Sequence, residues 1–183
     1  RQDADPPAVA DRGVVEPEAA LAARKDNVER DGAVEGRVGG ELAALRAEVM
    51  VVVGYGQIIP QSIIDLPPLG IINVHASLLP KYRGAAPINW AVMNGEVQTG
   101  VTTFKLSHEI DTGSILFAEK VSVPDEMTAG ELHDELMGVG AHLILRTVKA
   151  IDASRNGGKM EFIVQNNAEA THAPKIFKNT CRI

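Results

Sequence analysis

The hydrophobic pattern changes character at residue 49. Val49, Met50, Val51, Val52 and Val53 form an unbroken apolar run of strand length, closed by Gly54. Such a run predicts a strand buried on both faces of a parallel sheet, because alternation is lost when neither face meets water. Pro60 opens a short helical segment, Gln61 to Leu66, that Pro67 and Pro68 end. Gly70 to His75 predicts a second buried strand, which turns polar at its end. Ser77 to Arg83 reads as loop, and Ala85 to Asn94 as a helix with Pro87 in its first turn and Gly95 past its end. Gly100 to Leu106, rich in β-branched residues, predicts a third strand. Asp111-Thr112-Gly113 makes a turn, and Ser114 to Val123 alternates as a fourth strand. Thr128 and Glu131 form a capping box. The helix it opens carries an apolar stripe of Leu132, Leu136, Val139, Leu143 and Ile151. Asn156 to Gly158 break the chain, Met160 to Gln165 predict a short closing strand, and the rest is polar and extended. This order of elements predicts an α/β fold with a mainly parallel sheet.

Upstream the pattern fails. Residues 1–48 hold 11 Ala and three Leu but no Ile, Met, Ser, Thr or aromatic residue. With so little large apolar surface, the block has little to bury. Three readings stand side by side: a solvated, partly helical extension, a disordered arm, and GC-rich sequence read out of frame. Only Glu41 to Glu48, with Leu42 and Leu45 three apart, has helical logic. The chain thus divides into an atypical segment at 1–48, a core at 49–155 and a tail at 156–183.

Composition narrows the function classes. The 183 residues carry a formal charge of −6, which argues against a surface built wholly to grip nucleic acid or anionic membrane. Four of those charges belong to residues 1–48, where 11 acids face 7 bases. A single cysteine, Cys181, excludes an internal disulfide framework and a cysteine-rich zinc site. No apolar run approaches the roughly 18 residues of a membrane span, and no signal peptide opens the chain. A cytoplasmic protein is expected.

Several motifs lack their essential residue. Gly54-x-Gly56 is followed by Ile59 where a dinucleotide fingerprint needs glycine, and Gly95 to Gly100 by Val101 where a phosphate loop needs lysine. His108-Glu109 is followed by Thr112 where a zinc protease needs histidine. No serine sits in a nucleophile elbow.

What remains is Asn73-Val74-His75 at the end of a buried strand. Residues two apart on a strand share a face, and open α/β sheets place their ligands beyond the carboxyl ends of the strands. An Asn amide stabilises an oxyanion, and a His moves a proton near neutral pH. Asp111 lies in a turn that can return to the same edge. Together these residues suit acyl transfer to an amine, which itself attacks, so no protein nucleophile is needed. Taken singly, Asn73 reads as a cap or turn residue, His75 as a satisfied group, and Asp111 as a turn residue bonded to backbone.

Asn73-Val74-His75-Ala76-Ser77-Leu78-Leu79-Pro80, followed by Tyr82-Arg83-Gly84-Ala85-Ala86-Pro87-Ile88, resembles the folate-dependent formyltransferases. Thr99-Gly100-Val101-Thr102 and Asp111-Thr112-Gly113 stand at that family's distances. The resemblance spans about residues 41–151, and Ala173-Pro174-Lys175-Ile176 is similar to the family's exit from its catalytic domain. Arg83 to Pro87 with Asp111 to Gly113 favour the branch whose acceptor is methionyl-tRNA. The resemblance implies a Rossmann-like formyltransferase domain with Asn73, His75 and Asp111 as catalytic trio. It implies that Ser77, Leu78, Leu79 and Pro80 line the folate site through backbone groups. The donor it implies is 10-formyltetrahydrofolate, and the acceptor is the amino group of methionine on initiator tRNA; no metal is implied. Arg83 meets the tRNA end or shapes the loop, against the plainer reading of a surface salt bridge. The other readings are a sibling folate formyltransferase, a formyltetrahydrofolate hydrolase, or an inactive fragment.

Two departures from the family qualify this. Nothing in residues 1–48 is matched to the family's first strand and Gly-Thr-Pro loop, and the chain stops at Ile183, short of the family's C-terminal barrel. The expectation is a catalytic core that binds folate weakly and tRNA hardly at all.

Overall fold

The computed structural model describes residues 36–155 and 157–178, and the unit that carries the site is Glu41–Ile183. Residues 36–44 are helical. Past their end Arg46 takes a left-handed φ of 47°. Four strands follow: β1 (Met50–Val53), β2 (Ile71–His75), β3 (Gln98–Lys105) and β4 (Ile115–Ser122). The helices are α1 (Gln61–Ile64), α2 (Pro87–Met93) and α3 (Ala129–Arg155).

The α/β class holds, but the sheet among the described residues is mixed. Its order is β1-β2-β3-β4. Only β1 and β2 are parallel, with Met50 opposite Ile71 and Val53 opposite Val74. β3 runs antiparallel to both β2 and β4. Residues 76–97 bring the chain back to the end of the sheet at which β2 finishes, so that Thr102 of β3 lies opposite His75 and Lys105 opposite Ile72.

The valine run of β1 is not buried on both faces. Val51 and Val53 are 42% and 65% exposed, while Met50 and Val52 are partly covered. Among the described residues β1 is an edge strand. The closing strand expected over Met160 to Gln165 is reduced to one antiparallel bridge, between Ile163 and Ile115.

The capping box forms as expected: Glu131 N–H donates to Thr128 Oγ1 at 3.3 Å, and Thr128 N–H to Glu131 Oε2 at 2.8 Å. From it α3 lays Leu132, Leu136 and Leu143 against Val101, Val121 and Val123 of the hairpin. Gly140 of the helix lies over Val74 and Val101, where an added Cβ would make ordinary van der Waals contact at 3.4 Å and 3.7 Å. Farther along, Thr147 hydrogen-bonds Thr103 at 2.9 Å and Ile151 packs on Ile72 and Leu116. Because side chains alternate along β3, Val101 and Thr103 face α3, whereas Thr102 and Phe104 face the loop after β2. On that second side Phe104 packs with Leu79 and Ile115.

Candidate active site

β1 and β2 are parallel, so both end at the same edge of the sheet, and there the chain encloses a cavity of about 770 Å³. Its walls come from the segment after β1 (Val53 to Ile59), the end of β2 (Asn73 to Ala76), the start of α2 (Gly84 to Asn89) and the hairpin turn (Leu106 to Asp111), with one face of α3. Such a volume accommodates a drug-sized ligand.

Asn73, His75 and Asp111 all line this cavity. Among the described residues the Asn73 amide has no hydrogen-bond partner, so its N–H groups are open to a ligand. His75 is oriented from both sides. Its Nε2 lies 2.8 Å from the Tyr82 carbonyl. A carbonyl only accepts, so Nε2 carries the hydrogen and Nδ1 is the ring atom left for proton exchange. Nδ1 faces Asp111 Oδ2 at 3.7 Å. The same carboxylate oxygen accepts the Gly84 N–H at 2.8 Å. Asp111 adopts a left-handed φ of 54°, a conformation that Asp tolerates better than most residues.

Tyr82 and Gly84 supply these backbone contacts because their own backbones are unusual, with φ of 59° and 120°. At Gly84 a Cβ would lie 2.8 Å from the Ala173 carbonyl, so only glycine fits. The Tyr82 phenol donates to Glu96 Oε1 at 2.6 Å and accepts from Asn94 Nδ2 at 3.1 Å. Burial, and then the Glu96 carboxylate, push that phenol above its ordinary range.

Ser77, Leu78, Leu79 and Pro80, expected to line a folate site through backbone groups, lie beside the cavity rather than on its wall. Ser77 and Leu79 are buried behind it. Thr102 Oγ1 donates to the Ser77 carbonyl at 2.7 Å and accepts the Leu79 N–H at 3.1 Å. Ser77 Oγ donates to the Lys81 carbonyl at 2.6 Å. The Ser77 carbonyl and the Leu79 N–H are thus engaged within the fold. Segment 53–59 and the turn His108-Glu109-Ile110 form part of the wall, the stretches in which Gly54-x-Gly56 and His108-Glu109 lack a motif's essential residue.

Arg83 is neither a surface salt bridge nor open to a partner. It is buried, and its guanidinium donates to Gln165 and Asn167. This is the loop-shaping role. Its partners come from the end of the expected closing strand, Gln165, and from the polar segment after it, Asn167, and no local signal announces their docking. Residues 171–173 run beside the loop: Arg83 N–H donates to the Thr171 carbonyl at 2.9 Å, and Ala173 N–H to the Arg83 carbonyl at 2.7 Å.

This chain is similar to known proteins in sequence and in fold. A model of the formyl transferase family matches residues 4–148. The match begins well before residue 41, so the likeness reaches into the N-terminal block that the motifs left unmatched. The methionyl-tRNA formyltransferase of Acetivibrio thermocellus is 48% identical over 134 residues, 73% of this chain and 42% of its own. Among solved structures, the phosphoribosylglycinamide formyltransferase of Bacillus halodurans is 29% identical with a TM-score of 0.58, covering 62% of this chain and 58% of that one. An N-formyltransferase from Helicobacter canadensis, in complex with folinic acid and dTDP-3-aminofucose, is 25% identical with a TM-score of 0.58 over 65% of this chain and 42% of that one. The chain spans less than half the length of the curated relatives it matches. With the family match covering most of its residues, the chain belongs to the formyl transferase family.

Proposed function

We propose that this chain carries the chemical centre for transfer of a formyl group from 10-formyltetrahydrofolate to the amino group of methionyl-tRNA. The observation that supports it is the meeting of Asn73, His75 and Asp111 on one cavity at the carboxyl ends of β1 and β2. The relatives named methionyl-tRNA formyltransferase point to that acceptor. The cavity suits a folate: its volume is adequate, and Val53, Ile58, Leu106, Ile110 and Met137 offer apolar surface for a flat ring. The donor supplies an activated formyl carbon on nitrogen. Asn73 donates an amide N–H to the oxygen on which negative charge develops. His75 takes up or returns a proton at Nδ1, and Asp111 stabilises the imidazolium that forms. Across the reaction the carbon–nitrogen bond to the donor breaks, one to the acceptor amine forms, and the amine proton passes to the leaving nitrogen. In this reading Ser77, Leu78, Leu79 and Pro80, in the loop between His75 and Gly84, border the folate site through backbone groups. The reading places the chain in the cytoplasm with the translation machinery.

Transfer of labelled formyl from 10-formyltetrahydrofolate to methionyl-tRNA tests this. Asn73→Ala and His75→Ala are each expected to lower turnover by about two orders of magnitude or more while the folded fraction stays unchanged. Wild-type rates in either variant remove that residue from the mechanism. Formate release without an amine acceptor, at the rate of transfer, identifies a hydrolase instead.

A further inference from the structure

Gln165 is 8% exposed and sits 54 residues from Asp111 in sequence, yet its side chain holds that residue's backbone. Its Nε2 donates to the carbonyls of Asp111 at 2.8 Å and Gly113 at 2.7 Å. Its Oε1 accepts from Arg83 Nε at 3.0 Å and from an Arg83 terminal nitrogen at 2.7 Å. The latter nitrogen also reaches Asn167 Oδ1 at 3.0 Å. An amide has one accepting and one donating end. Arg83, 6% exposed and wholly a donor, settles which end is which: the oxygen must face the guanidinium, so the N–H groups must face residues 111 and 113.

The two carbonyls so held bracket the turn in which Asp111 takes its left-handed backbone. That conformation costs about 1 kcal/mol or more and persists only where the surroundings impose it. Gly84, whose N–H grips the Asp111 carboxylate, follows directly on Arg83 in the chain. One arginine–glutamine pair therefore anchors both partners of the contact that places the carboxylate beside His75.

We infer that Gln165, oriented by Arg83, is a positioning residue that sets the Asp111 carboxylate against His75. This rests on the catalytic reading of Asn73, His75 and Asp111 given above. It makes the segment after α3 part of the active centre, although it supplies no group to the cavity.

Two variants of the 183-residue chain test it. Gln165→Ala removes the clamp. Gln165→Glu keeps size and gives Arg83 a carboxylate, so the tail stays docked while the donor to residues 111 and 113 is lost. The Gly84 amide reports the carboxylate directly, through its nuclear magnetic resonance signal and its hydrogen exchange. Both variants are expected to speed Gly84 exchange by about tenfold or more, with Gln165→Glu still folded at the assay temperature. Turnover is expected to fall by about tenfold with KM for either substrate within about twofold. On an Asp111→Asn background, Gln165→Glu should cost nothing further. Unchanged Gly84 exchange in folded Gln165→Glu overturns the inference, as do losses that multiply with Asp111→Asn. If Gln165→Ala does not fold, Gln165→Glu decides alone, and exchange alone decides in a chain without measurable turnover. Full turnover in Asp111→Asn sinks the catalytic reading instead, and the Gly84 signal still judges the clamp.

Discussion

Replacing Thr102 by valine isolates the clamp beneath the loop that joins His75 to Gly84. Thr102 is wholly buried on β3, and its hydroxyl serves two backbone groups at once. Valine keeps the shape and removes both bonds. The Ser77 carbonyl and the Leu79 N–H are then left buried without a partner, at about 1–3 kcal/mol each. The methyl that replaces the hydroxyl returns less than about 1 kcal/mol. The net loss is expected at about 2–4 kcal/mol, a large share of the 5–15 kcal/mol typical of a domain. For a chain of this size, about 2–4 °C per kcal/mol gives a melting temperature lower by roughly 5–15 °C. Urea unfolding with an unchanged m-value measures the free energy directly. A loss below about 0.5 kcal/mol would falsify the clamp, since it would mean that both groups reach water when the hydroxyl is gone.

Gly84→Ala is expected to destabilise by about 2 kcal/mol or more, because an L-residue is strained at a φ of 120° and its Cβ meets the Ala173 carbonyl. Chemical denaturation checks this, and a neutral effect refutes the contact with the tail. Thr128→Ala should cost about 1 kcal/mol through loss of the cap of α3. Its partner Glu131 is held below the ordinary carboxylate range, chiefly by the Thr128 backbone N–H. A lowered carboxylate contributes stability above its unfolded pKa and loses it as pH falls through the folded value. The difference between wild type and Glu131→Ala should therefore shrink on acidification, and a pH-independent difference argues against the capping bond. For Tyr82, raised above its ordinary value, the sign is opposite: stability is present below its unfolded pKa and lost as pH rises through the folded one. Tyr82→Phe should cost about 1–2 kcal/mol near neutral pH and less in alkali, as thermal melts across pH will show.

The reach of the sequence can be judged from particular elements. The capping box at Thr128, the helix begun at Pro87 and the hairpin turned at Asp111 to Gly113 were legible because each is written within a few residues and obeys local stereochemistry. Asn73 and His75 were legible because strand periodicity puts both on one side of β2, at the end where ligands gather. The sheet direction at β3 was not, since it depends on the end of the sheet to which residues 76–97 return the chain. Neither was the half-exposed β1, because a valine run reads alike at the centre and the edge of a sheet.

The residues proposed for the chemistry were thus set out locally, as a strand end and a turn. Tertiary structure decided how they are held. Ser77 and Leu79 turn inward, where Thr102, 25 residues from Ser77, offers a hydroxyl to the backbone of both. Arg83 is buried because Gln165, 82 residues away, accepts its charge-bearing donors. A hydrogen bond between residues so distant leaves no periodic trace, since only packing brings its two ends together.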